Sequence, residues 1–162
     1  MKSIEYFVFD LEGTLVETSY QEIICLPEIK RLLADLDANG KSLYLWTMRD
    51  RKSSLEILKQ TGLISYFTDF CCLGSDSYAY KPDPEGIISM LPDDFNSEEV
   101  LVVGDSYKDM QAGKRLKSHT LCAGWYSAPN KEMVQRLECL GVDQVLTIPP
   151  GIDDLKLFHS RA

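Results

Sequence analysis

The residues able to do chemistry fall in four short polar clusters. They are Asp10-Leu11-Glu12-Gly13-Thr14, Thr47-Met48-Arg49-Asp50, Lys81-Pro82-Asp83-Pro84 and Gly104-Asp105-Ser106, with Asp109 four residues past Asp105. Two carboxylates brought together, Asp10 and Asp105, are costly unless something neutralises them. A hard divalent cation such as Mg2+ does this through oxygen ligands, using one or two carboxylates and keeping waters. Lys81 adds a second positive charge and Thr47 a neutral donor. Gly13 lets the backbone turn sharply, so that amides face an anion. Such a set suits a dianionic phosphoryl group, whose transfer needs in-line positioning and charge neutralisation. A carboxylate is a competent nucleophile there, because it can form an aspartyl-phosphate.

The clusters need elements that bring them to one place. The apolar runs Tyr6–Phe9, Leu43–Trp46, Phe70–Leu73, Val100–Val103, Thr120–Ala123 and Val145–Ile148 are short and continuous, as in strands buried on both faces. Between them lie helix signals. Pro27 opens a stripe of Ile29, Leu32, Leu33 and Leu36 that Asn39-Gly40 closes. Asp50 caps a second helix, with Leu55 and Leu58 inward and Gly62 as its stop. Asp83-Pro84 starts a third, leading to Ile87, Ile88 and Leu91. Ser106 and Asp109 form a capping box ahead of Met110 and Leu116. Met133, Val134, Leu137 and Leu140 form a last stripe before Gly141. The alternation predicts an α/β chain: a three-layer, Rossmann-like fold with a central parallel sheet flanked by helices. Ligands of such sheets sit beyond the carboxyl ends of the strands, where the four clusters converge.

Composition narrows the classes. A chain of 162 residues fits one domain, 1–162, and folding at this size buries roughly 70% of the unfolded surface. With 44% hydrophobic and 26% charged residues it is neither disordered nor fibrous. Its formal net charge of −8 argues against non-specific nucleic-acid binding. The apolar runs are far shorter than the roughly 18 residues of a membrane span. Glu5 interrupts what would be the apolar stretch of a signal peptide, so no export signal is read and a cytoplasmic protein is expected. The cysteines are Cys25, Cys71, Cys72, Cys122 and Cys139. Their number is odd and no C-x-x-C occurs, so they read as small buried hydrophobes in a reducing compartment.

The clusters, in order, resemble the motifs of the haloacid dehalogenase-like phosphatases. Phe9-Asp10-Leu11-Glu12-Gly13-Thr14-Leu15-Val16 is similar to motif I, Thr47 to motif II and Lys81 in Tyr80-Lys81-Pro82-Asp83-Pro84 to motif III. Gly104 to Gly113 is similar to motif IV. The likeness extends over about residues 4–155. The resemblance implies a Mg2+-dependent phosphatase with Asp10 as nucleophile. Glu12 would be the general acid/base, and its backbone carbonyl a metal ligand. Thr47 and Lys81 would hold the phosphoryl oxygens. Asp10 and Asp105 would bind Mg2+, and Asp109 would orient Lys81 or a metal-bound water. Most family members have Asp where Glu12 stands. In having Glu the chain resembles the enolase-phosphatase branch, whereas the dehalogenase branch lacks an acid there.

Family members usually carry a cap domain after motif I or between motifs II and III. Here 16 residues separate Asp10 from Pro27, room for a hairpin. The 34-residue step from Thr47 to Lys81 is filled by one helix and one strand. The chain therefore resembles the capless form, with no large cap domain. An open site suits a bulky phosphorylated substrate, or cover from a second subunit of a homo-oligomer.

Each residue also has a plainer reading. Asp109 can be a helix cap as well as a site residue. Arg49 and Arg51 can face substrate, since arginine suits oxyanions, or be solvated charges at a helix start. Trp46 reads as core. Trp125 and Tyr126 are candidates for the entrance. His119 and His159 have no partner pattern. Two rival functions stand beside the phosphatase. A receiver-like phospho-acceptor module is disfavoured, because its acceptor would end the third strand, where Phe70-Cys71-Cys72-Leu73 stands. A catalytically weak phospholigand- or partner-binding relative is kept open by Glu12.

Overall fold

A computed structural model describes residues 2–19 and 21–158. His159 lies outside the described residues. In chain order the elements are β1 (Tyr6–Phe9), β2 (Glu17–Ser19), β3 (Glu22–Ile24), α1 (Pro27–Ala38), β4 (Ser42–Thr47), α2 (Arg51–Thr61), β5 (Asp69–Cys72), α3 (Glu85–Met90), β6 (Val100–Gly104), α4 (Tyr107–Arg115), β7 (His119–Ala123), α5 (Lys131–Leu140) and β8 (Gln144–Leu146). Six strands form one parallel sheet in the order β5-β4-β1-β6-β7-β8. Strand β1 lies inside it, with Phe9 in register with Leu45 on one side and Val103 on the other.

Alternate residues of each strand feed opposite faces. Phe7, Phe9, Leu43, Leu45, Leu101 and Val103 pack with the stripe of α1 and with Ile57 and Leu58 of α2. Val8, Tyr44, Trp46, Val100 and Val102 pack with Ile87 of α3 and with Ala112 and Leu116. Each such side chain, when fully buried, contributes about 1.5–3 kcal/mol. Helices thus cover both faces, as the continuous apolar runs predict.

The structure departs most from the sequence reading at β8 and α3. Strand β8 ends at Leu146, and Ile148 is 75% exposed. Gly124 donates its N–H to the Leu146 carbonyl there. Helix α3 starts one residue late: Pro84 takes the cap position, and Asp83 accepts from the Glu85 N–H. On that short helix Ile88 faces solvent rather than the core. The other starts follow the sequence. Asp50 caps α2 through the Ser53 N–H, and Ser106 and Asp109 close a reciprocal capping box on α4.

Between β1 and α1 the chain forms the β2–β3 hairpin, paired from Glu17 with Ile24 to Ser19 with Glu22. Cys71, Cys72 and Cys122 are buried, as expected, whereas Cys25 is half-buried and Cys139 exposed. No helix is long and apolar enough to cross a membrane among the described residues.

Candidate active site

The strand order explains the convergence. β4 and β6 flank β1, so Thr47 at the end of β4 and Asp105 after β6 stand on either side of Asp10. Lys81 reaches the same point from the loop after β5. Its ammonium lies 3.0 Å from Asp10 Oδ1 and 2.6 Å from Asp109 Oδ1. It also sits over the Trp46 ring, 4.4 Å from the centroid. The Lys81 side chain is only 5% exposed and that of Asp109 1%. The capping box therefore has a second task. Ser106 donates its N–H and hydroxyl to Asp109 Oδ2, leaving Oδ1 to receive Lys81.

Gly13 is required twice over. Its φ is +79°, and a Cβ there would fall inside the Asp105 carboxylate. The turn after Asp10 therefore packs directly onto Asp105. Carboxylate oxygens of Asp10, Asp105 and Asp109 lie within 4.8 Å of one another. Burial pushes the Asp10 carboxyl well above its ordinary range; Lys81 opposes this, while Asp109 and Asp105 add to it. Burial likewise raises Asp105. Lys81 alone leaves negative charge unbalanced, since burial favours its neutral form and yet Asp10 and Asp109 hold it above its usual range. An all-oxygen cluster that resists ionisation fits a hard divalent cation. Asp10 and Asp105 are placed to hold one.

Thr47 is buried, and its hydroxyl oxygen accepts from the Arg49 N–H at 3.2 Å, which leaves the hydroxyl hydrogen free to donate. The Glu12 side chain reaches across the mouth, 2.5 Å from Arg49 Nη2, and accepts from Thr18 of the hairpin at 3.3 Å. Asp10, Glu12, Thr47, Arg49 and Lys81 line one open cleft of about 770 Å3, together with Met48, Asp50, Ser53, Ser106 and Lys108.

Three sequence readings are corrected. Arg51 does not line the cleft: it pairs with Asp76 at 2.8 Å and donates to the Phe70 carbonyl. It thereby fixes the loop leading to Lys81. Trp125 and Tyr126 are clamps rather than entrance residues. Trp125 donates to the Thr14 carbonyl; Tyr126 donates to the Leu15 carbonyl and accepts from the Leu26 N–H. Trp46 is core, as expected, but its face also carries Lys81. The sequence reading missed that role and the place of Lys108. Lys108 lies inside the motif IV stretch, one residue before Asp109, and its position there was the available signal.

The model of the haloacid dehalogenase-like hydrolase family matches residues 17–123. That span includes Thr47, Lys81, Asp105 and Asp109 and begins after Asp10 and Glu12. The chain belongs to this family. It is 41% identical over 71 residues to a pyrophosphatase, PpaX, of Listeria welshimeri, covering 42% of this chain and 31% of that one. To a phosphoglycolate phosphatase of Vibrio cholerae it is 33% identical over 103 residues, 62% of this chain and 42% of that one. It thus spans less than half the length of these relatives. The fold is similar to that of CbbY from Rhodobacter sphaeroides, solved in complex with phosphate, with a TM-score of 0.75. There the identity is 17%, and the match covers 94% of this chain and 99% of the other.

Proposed function

We propose that the chain is a Mg2+-dependent phosphatase, built in one domain, that hydrolyses a phosphate monoester through an aspartyl-phosphate on Asp10. The observation that carries this reading is the Lys81 ammonium held between Asp10 and Asp109 at the strand ends, with Asp105 against Gly13. The names of the relatives, a pyrophosphatase and a phosphoglycolate phosphatase, support phosphate-ester or phosphoanhydride chemistry. The acidic cluster supports Mg2+.

In this reading Thr47 and Lys81 hold the phosphoryl oxygens, and Arg49 contacts the substrate further out. Asp10 attacks phosphorus as the bond to the leaving oxygen breaks. Glu12, released from its pair with Arg49 and protonated from solvent, gives that oxygen the proton. Glu12 then takes a proton from water, the water attacks the aspartyl-phosphate, and phosphate departs with Asp10 restored. Asp109 keeps Lys81 in place. Asp10, Asp105 and the Glu12 backbone carbonyl would hold Mg2+, which would supply charge neutralisation at the phosphoryl group.

The hairpin between β1 and α1 leaves room for a bulky substrate, or for cover by a second copy of the chain. A cytoplasmic location, on the free cysteines, and the absence of a nucleic-acid partner, on the acidic balance, remain part of the proposal. The test is release of phosphate from p-nitrophenyl phosphate. Mg2+-dependent turnover that chelator abolishes and Asp10→Asn removes is the expected result. The Glu12–Arg49 pair favours one second reading, a weak relative that binds a phospholigand. Phosphate binding by calorimetry without turnover would select it.

A further inference from the structure

Besides Lys81, two further cations, Arg49 and Lys108, line the cleft. Lys81 is committed to Asp10 and Asp109. Arg49 and Lys108 line the same cleft from different elements, the loop after β4 and the first turn of α4 after β6. Since β4 and β6 pair with β1 on its two sides, these cations straddle the strand that ends at Asp10. Both stand toward solvent: the Arg49 side chain is 33% exposed against 5% for Lys81, and Lys108 is exposed.

An in-line displacement sends the leaving group away from the attacking carboxylate. For Asp10 at a strand end, that direction is outward, toward the mouth of the cleft that Arg49 and Lys108 line. The Lys108 side chain has no hydrogen bond or ion pair among the described residues. Arg49 spends one end of its fork on Glu12, and a guanidinium has further donors suited to carboxylate and phosphate. Asp50, the neighbouring acid, is turned to the N–H and hydroxyl of Ser53 at 2.9 and 2.6 Å. With a net charge of −8, the protein as a whole repels polyanions, so an anionic leaving group must be held by cations within a Debye length of about 8 Å.

We propose that Arg49 and Lys108 form a subsite for a second anionic group on the substrate. The substrate class is then a phosphate monoester whose alcohol carries a carboxylate or another phosphate. The outward direction of the leaving group rests on the hydrolytic reading above; the two cations do not.

Three esters with the same two-carbon chain test it: 2-phosphoglycolate and ethylene glycol bisphosphate, whose leaving groups are anionic, and 2-hydroxyethyl phosphate, whose leaving group is neutral. At least one anionic ester is expected to exceed the neutral one in kcat/KM by roughly tenfold or more, the scale of one charge-assisted hydrogen bond. Which of the two is preferred tells carboxylate from phosphate. Lys108→Ala and Arg49→Gln should each cut that ratio by about threefold or more, and the double variant should bring it near one. If no ester turns over, Kd values for the same three on Asp10→Asn, by calorimetry, carry the same expected ratio. Anion-selective binding without turnover would support the subsite and overturn the hydrolytic reading. A ratio near one in the unmutated site, or a ratio unmoved by both variants, would overturn the subsite while p-nitrophenyl phosphate turnover still upheld the hydrolytic reading.

Discussion

Lys81 rests on the face of Trp46, 4.4 Å from the ring centroid, while Asp10 and Asp109 grip the same ammonium at 3.0 and 2.6 Å. A desolvated cation–π contact is worth about 2 kcal/mol, so the ring fixes where the ammonium points as well as filling the core. Trp46→Leu should lower kcat on p-nitrophenyl phosphate by about tenfold or more, with a smaller change in KM. Trp46→Phe keeps a ring, and it removes a buried indole N–H that has no partner among the described residues, so it should retain most of kcat and stability. In a Trp125→Phe background, Trp46 emission should respond to inorganic phosphate. Equal kcat for the Leu and Phe variants would show that the ring serves packing alone.

The acidic cluster makes a prediction about stability and pH. Asp10 and Asp105 both sit above the ordinary Asp value, so just below their raised values the folded chain keeps protons that the unfolded chain has lost. Without metal, stability should therefore rise as pH falls through the raised values and level off near the ordinary value of about 4. In chelator at neutral pH, Asp10→Asn should raise Tm by about 2–4 °C, the shift that 1 kcal/mol gives in a domain of this size. Mg2+ should raise the Tm of the unmutated protein, and Asp105→Asn should abolish that gain. Calorimetric scans in chelator and in Mg2+ check both.

Much of this was legible from residue types alone, for a physical reason. Buried parallel strands must be apolar on both faces, and their ends must carry whatever meets a ligand, so Asp10, Thr47, Lys81 and Asp105 stand out against Tyr6–Phe9, Leu43–Trp46 and Val100–Val103. The Ser106–Asp109 capping box was legible because both partners lie within one turn. Long-range pairings were not. Nothing local says that Arg51 belongs to Asp76, that Tyr126 reaches Leu15 and Leu26, or that Glu12 meets Arg49. The edges misled for a related reason. β8 and α3 are short, pack on one side only, and leave Ile148 and Ile88 in solvent, where apolarity carries no positional information.

Tyr126 ties both roots of the hairpin to the loop after β7. Its hydroxyl bonds the Leu15 carbonyl at 2.9 Å and the Leu26 N–H at 3.0 Å. Tyr126→Phe removes both bonds and should cost about 1 kcal/mol or somewhat more. Amide exchange by mass spectrometry should quicken over 17–26, with exchange in β1 and β6 unchanged. Because Thr18 of that hairpin donates to Glu12, the variant should also lower turnover of alkyl phosphates. Exchange quickening uniformly across the sheet would show a general loss of stability instead of a released clamp.

Glu12 is the residue on which rate should depend most subtly. Its carboxylate is held at the mouth by Arg49 at 2.5 Å and by Thr18, one from each rim of the cleft. A carboxylate so held must leave that pair and take up a proton from solvent before it can protonate a leaving oxygen. Its benefit should therefore scale with how badly the leaving group needs a proton. Glu12→Gln keeps the shape and cannot transfer a proton, so alkyl phosphate turnover should fall by about 10²–10⁴-fold, the usual worth of general acid/base assistance. The loss on p-nitrophenyl phosphate, whose leaving group departs as a stable anion, should be much smaller. Equal losses on the two esters would mean that Glu12 serves only to bridge Thr18 and Arg49. Glu12→Asp separates reach from chemistry. The shorter arm gives up the Arg49 contact and keeps the carboxyl, so a faster alkyl reaction would identify the native length as a compromise between closing the mouth and donating the proton. A slower one would show that the extra methylene is what brings the carboxyl to the leaving oxygen.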